Sequence, residues 1–94
     1  MSESRSCHTV HFTVSGRVQG VFFRVAAKQQ ADLLGVSGWV RNLPDGRVEG
    51  MACAHEDLLG EFRRWLHRGP DHARVLKVEW QKVPDQEFSG FTIR

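Results

Sequence analysis

The sequence lacks most of what would mark a membrane, metal or nucleic-acid protein. No apolar run is long enough to span a bilayer, and Met1 to Cys7 is polar, without a signal-peptide pattern. Cysteine occurs only twice, at Cys7 and Cys53, far apart and with no Cys-x-x-Cys pair. That excludes a disulfide framework; a single Cys7–Cys53 bridge stays open, and two free thiols in a cytosolic protein are the expected state. The five histidines, His8, His11, His55, His67 and His72, give no i, i+4 ligand pair on one helix, so no metal is assigned. Surface or capping roles are expected for them. The formal net charge is only +2, too slight for a large nucleic-acid footprint but favourable to a small anion. Repeats, linkers and low-complexity segments are absent. The 94 residues make one domain, with room for one core and one site.

What is present is a clear alternation of periods. Residues 1–7 read as a flexible polar segment, and 8–94 as the folded domain. From His8 to Ser15, Val10, Phe12 and Val14 alternate with polar residues, as in a half-buried strand. A helical run to Leu34 carries Phe23, Ala27, Ala31 and Leu34 near one face, with Phe22 and Ala26 beside them, and Gly35 caps it. A second strand spans Val36 to Asn42, where Gly38 marks close approach of another backbone or a bulge. Leu43-Pro44-Asp45-Gly46 is a turn, and a third strand runs from about Arg47 to Ala54. There Gly50 and Ala52 leave space for a covering helix. Glu56 to Arg68 is a second helix, with Leu58, Phe62 and Leu66 at i, i+4, i+8, flanked by Leu59 and Trp65; Gly69-Pro70 stops it. A fourth strand, about Val75 to Val83, sets Leu76, Val78 and Trp80 on one face, and Phe91 to Arg94 closes the chain as a short strand. The order predicts an α+β, ferredoxin-like split βαβ sandwich: an antiparallel sheet with two helices on one face, water on the other, and a short C-terminal strand.

One stretch carries chemistry. Gly16-Arg17-Val18-Gln19-Gly20-Val21-Phe22-Phe23-Arg24 joins the first strand to the first helix. A glycine-bounded turn at a helix N-terminus is an anion site, because its N–H groups lack intrahelical partners and the helix dipole adds positive potential. Gly16 and Gly20 permit backbone angles that let successive N–H groups converge on one anion. Arg24, in the first helical turn, can add its planar fork of donors. It is neither a Walker sequence nor a dinucleotide Gly-x-Gly-x-x-Gly turn. Spacing alone leaves a second reading open, a tight strand–helix connection with a surface arginine. Asn42 likewise reads either as a water-orienting amide or as the residue that starts the turn before Pro44.

The loop motif, followed by Gly35-Val36-Ser37-Gly38-Trp39-Val40-Arg41-Asn42, Asp45-Gly46-Arg47-Val48-Glu49-Gly50, Gly69-Pro70 and Phe91-Thr92-Ile93-Arg94, resembles the acylphosphatase family. The resemblance runs in order from about His8 to the last residue. It implies metal-free hydrolysis of the carboxyl–phosphate bond of acyl phosphates to a carboxylate and inorganic phosphate. Arg24 matches the family's phosphate-binding arginine, and Asn42 its water-positioning asparagine. The backbone amides of Gly16, Arg17, Val18, Gln19, Gly20 and Val21 match its anion cradle. The implied protein needs no cofactor or metal. Its substrate is a small molecule. From the composition itself, the small size without an exposed apolar stripe predicts a monomer, the cysteines a cytoplasmic protein, and the slight charge and lack of a long apolar run no nucleic-acid or membrane partner.

Other candidates receive structural roles. Arg17 is placed on the loop exterior, Phe22 and Phe23 in the core or pocket wall, and Trp39, Trp65 and Trp80 in packing. Asp45, Glu56 and Asp57 suit turn and helix-start chemistry, and Cys53 is no nucleophile. Two competing functions are weighed. A non-catalytic anion or carbamoyl-phosphate module would resemble the acylphosphatase-like domains of larger maturation proteins; a chain ending at Arg94 favours the free enzyme. An RNA binder on the same fold class is disfavoured because Arg47 to Cys53 lacks the aromatic RNP pattern.

Overall fold

The computed structural model describes residues 7–94. The expectation of a frayed polar N-terminus falls on residues 1–6 and lies outside them. In chain order the elements are β1 (His8–Arg17), α1 (Phe23–Leu34), β2 (Ser37–Asn42), β3 (Val48–Ala54), α2 (Glu56–Arg68), β4 (Arg74–Val83) and β5 (Phe91–Ile93). The five strands lie in the order β4-β1-β3-β2-β5. The first four pair antiparallel, as the split βαβ order of elements predicts. β5 adds beside β2 in parallel, Gly38 opposite Phe91, so the complete sheet is mixed. Register brings two of the candidate segments together. Val14 pairs with Val48 and Val48 with Asn42, so the end of β1 and the end of β2 emerge at the same edge of the sheet.

The core lies between the sheet and the two helices. Phe12, Phe23, Phe62, Leu66, Val14, Val18, Val40 and Val48 are fully buried. At Gly50 the space goes to the ring of its cross-strand partner Phe12, whose Cε2 would stand 2.9 Å from an added Cβ. Phe62 of α2 then meets Phe12 edge-on at 5.8 Å, and contacts Phe91 and Trp65 in turn. Gly38, as predicted, is where another backbone comes close: a Cβ would stand 2.8 Å from the Met51 carbonyl carbon. α1 ends in the two reversed hydrogen bonds of a glycine cap, Val36 N–H to the Ala31 carbonyl (2.8 Å) and Gly35 N–H to that of Asp32 (3.3 Å).

Four expectations are corrected. Leu76 is 75% exposed, because β4 slips register between Ser15 and Gly16; Lys77 and Val75 take the pairing positions and Leu76 bulges outward. Phe22 is 79% exposed rather than core, since it stands at the N-cap of α1 with φ 61°, in the left-handed region. The buried face of α2 is Leu59, Phe62 and Leu66; Leu58 is only half-buried. Finally, the face away from the helices is not all open to water. The 84–90 segment folds over one end of it, where Thr9 Oγ1 accepts from Gln86 N–H at 3.0 Å and Thr9 is buried.

Candidate active site

The connection from β1 to α1 is built to leave donors unused. Gly16 (φ 125°) and Arg17 still belong to β1, paired with Val75 and Arg74. An added Cβ at Gly16 would lie 2.9 Å from Leu76 N, so this glycine also makes the β4 bulge possible. Beyond it the chain leaves the sheet. Gly20 (φ 75°) is exposed, with nothing within 4 Å of where a Cβ would be. Among the described hydrogen bonds none is donated by the backbone N–H of any residue from Val18 to Val25. The first to find an acceptor is that of Ala26, on the Phe22 carbonyl at 3.0 Å. α1 has no side-chain N-cap and no acidic residue in its first turn, whereas α2 carries Glu56 and Asp57 there. Dipole and open amides at α1 therefore face no carboxylate of their own helix.

Arg24 is the second residue of α1, directly after the buried Phe23, whose ring lies 5.5 Å from that of Trp65. Of the two half-buried arginines, Arg47 is paired with Asp45 at 2.8 Å, while Arg24 has no carboxylate partner among the described residues. Asn42 ends β2 at the same edge. Its side-chain Oδ1 is buried and has no hydrogen-bond partner among the described residues. Between these groups lies a link that the sequence does not announce. Gln19 Nε2 donates to the carbonyls of Leu43 (2.8 Å) and Arg47 (3.0 Å), across the turn that follows Asn42.

A family model for acylphosphatase matches residues 10–93. The chain belongs to the acylphosphatase family. An acylphosphatase of Rubrobacter xylanophilus is 50% identical to it over 95 residues, spanning 100% of this chain and 86% of that protein. One of Pseudomonas aeruginosa is 51% identical over 85 residues, 90% of this chain and 93% of that one. Among solved structures, an acylphosphatase from Coxiella burnetii superposes with a TM-score of 0.95 at 38% identity, covering 100% of this chain and 99% of that one. The family and the ferredoxin-like α+β fold expected from the motifs are thus both found.

Within this acylphosphatase-family domain, the neighbours of Asp45, Glu49 and Cys7 move their titration. Asp45 accepts from the Arg47 backbone N–H and guanidinium, which hold its carboxyl below the usual range, the turn role expected of it. On the sheet face, burial opposes ionisation of Glu49, but hydrogen bonds from His11 (2.8 Å) and Arg41 (2.7 Å) outweigh it and hold its pKa down. At the opposite end of β1 and β3 from the loop, Cys7 and Cys53 share a cleft of about 660 Å³ with Ser37 and the 85–88 segment. Burial, with the neighbouring Cys53 thiol, pushes Cys7 up to about 11, so it stays protonated near neutral pH. Among the described residues no group of three or more His, Cys, Asp or Glu could hold a metal ion, and no helix is long and apolar enough to cross a membrane. Arg17 is exposed, but it is the last residue of β1 rather than part of the loop exterior expected for it.

Proposed function

We propose that residues 8–94 act as one acylphosphatase domain that hydrolyses acyl phosphates without a metal. The N–H groups of the loop and of the first turn of α1 take the oxygens of the phosphoryl group, and Arg24 adds its planar donor pair. Gly16 and Arg17 bound this cradle; Val18, Gln19, Gly20 and Val21 form its floor. All of these groups are donors, which suits an anion and not a cation. As the P–O bond to the acyl oxygen lengthens, charge grows on the groups already facing these donors, so catalysis is positioning and electrostatics. The carboxylate leaves at an intrinsic pKa of roughly 4 and needs no acid to protonate it. A water attacks in line, and the substrate's own phosphate takes its proton.

The observation that carries hydrolysis rather than mere anion binding is the orphaned Asn42 Oδ1. A buried acceptor without a partner is costly unless something fills it. A water donating to it would be held beside the cradle and aimed at phosphorus. The amide cannot remove a proton, so Asn42 orients the nucleophile. The test is benzoyl phosphate hydrolysis with chelator present. Chelator should leave the rate unchanged. Asn42→Ala should lose about 100-fold or more in kcat, while inorganic phosphate still inhibits competitively. A rate that needs a divalent ion refutes the metal-free scheme. Wild-type protein that binds phosphate but does not turn over would make the chain a binding module instead.

The same reading makes the enzyme a cytoplasmic monomer acting on a small acyl phosphate. Light scattering that returns a dimer mass would refute the monomer.

A further inference from the structure

We infer that the side chain of Gln19 is a positioning residue for this reaction, setting the separation between the bound phosphoryl group and the water at Asn42. The inference rests on the function proposed above and assigns its geometry to a side chain rather than to a backbone amide. The site has two halves on different elements. The cradle hangs between β1 and α1, and Asn42 ends β2. Among the described hydrogen bonds, only the two from Gln19 Nε2 join residues 18–22 to residues 42–48. They use both N–H bonds of the amide. The reversed orientation would set the Gln19 carbonyl against two others, so the chemistry fixes which atom faces the turn.

The two acceptors are also the closing pair of that turn. Leu43 N–H donates to the Arg47 carbonyl at 2.8 Å, and Gly46 N–H to the Leu43 carbonyl at 3.2 Å. Gln19 therefore grips the turn at the carbonyl of the residue directly after Asn42. Its own backbone N–H belongs to the run of open amides. One short side chain thus spans the gap between anion and nucleophile. Each carbonyl keeps its turn hydrogen bond if Gln19 is lost, so the hairpin should survive the substitution while the spacing does not.

The experiment compares Gln19→Ala, Gln19→Glu, Asn42→Ala and the double variant Gln19→Ala/Asn42→Ala, using benzoyl phosphate turnover, competitive inhibition by inorganic phosphate, and thermal melting. Misplacing reacting groups by about 1 Å costs on the order of 100-fold. Gln19→Ala should therefore lower kcat by about 10- to 100-fold, leave phosphate inhibition within about 3-fold, and melt as a folded protein. Gln19→Glu, which sets a carboxylate against two carbonyls, should be slower still. Because Gln19 acts through Asn42, the double variant should be no slower than Asn42→Ala alone. Full multiplication of the two losses would overturn the inference. So would a Gln19→Ala enzyme with a lowered melting point but normal kcat, which is what a purely structural role predicts. Asn42→Ala at the wild-type rate would overturn the assignment of Asn42 itself, and the inference with it.

Discussion

Replacing Arg24 by glutamine removes one positive charge from the candidate site and leaves the surroundings nearly untouched. Arg24 has no carboxylate partner among the described residues, so no ion pair is broken elsewhere. Phe23, which sets the direction of this helical turn, is 1% exposed and held against Trp65, so the backbone should not move. A unit charge about 4 Å from a phosphoryl oxygen, at the effective dielectric of about 20 found near protein surfaces, is worth about 4 kcal/mol, or roughly 1,000-fold. Arg24 is only half-buried, and removal of one aimed donor typically costs about 100- to 1,000-fold. The expected loss in kcat/KM for Arg24→Gln is therefore about 100- to 1,000-fold. Competitive inhibition by inorganic phosphate should weaken with it, because the charge contacts the anion in ground and transition states alike. Arg24→Lys, which keeps the charge and loses the fork, should fall between the two. The assay is steady-state benzoyl phosphate hydrolysis with a phosphate inhibition series and a melting curve on each variant. A folded Arg24→Gln enzyme within about 3-fold of wild type in both constants would refute the reasoning and leave Arg24 outside the site.

Phe62→Ala empties the middle of the aromatic chain from Phe12 to Phe91 and should cost about 3–5 kcal/mol in denaturant unfolding. A loss under about 1 kcal/mol would mean that the core repacks freely. Phe22→Gly relieves a left-handed backbone that costs a non-glycine residue roughly 1–2 kcal/mol, offset by about 0.5–1 kcal/mol of glycine entropy. It should melt at or slightly above wild type, and a clear loss would show that the exposed ring is held by contacts. Glu49 has a carboxyl pKa below its ordinary 4.5 in the folded protein, so it binds its proton more readily when unfolded. Its stabilising contribution is therefore complete above about pH 4.5 and is lost as pH falls through the lower folded value. Glu49→Gln should flatten the decline in melting temperature below pH 5, and an unchanged decline would dismiss the His11–Glu49–Arg41 cluster as its source.

Much of this was legible because each element carries a period of its own. Val10, Phe12 and Val14 declare a strand, Phe23, Ala27 and Ala31 a helix face, and Gly35 its end. The proposal of an anion site in the loop starts from glycines and an arginine placed at a helix start. What failed depended on partners that a local pattern does not contain. The outward turn of Leu76 follows from a register slip opposite Gly16, in another strand. The parallel seat of β5 beside β2 depends on where the 84–90 segment leads the chain. Phe22 fits a helical wheel one position too early, and only the backbone angle at the N-cap turns its ring outward. The Gln19 link joins residues 24 and 28 positions away, and a glutamine in a loop gives no signal of it.

The run of amides from Val18 to Val25, without acceptors among the described residues, has a consequence for solution spectroscopy. In the unliganded protein these protons should trade with solvent deuterium far faster than their neighbours in β1 and in the later turns of α1. An anion seated among them would slow that trade and move their nitrogen and proton resonances together. The chain would then report the occupancy of its own loop residue by residue, with no label, chromophore or substrate turnover required.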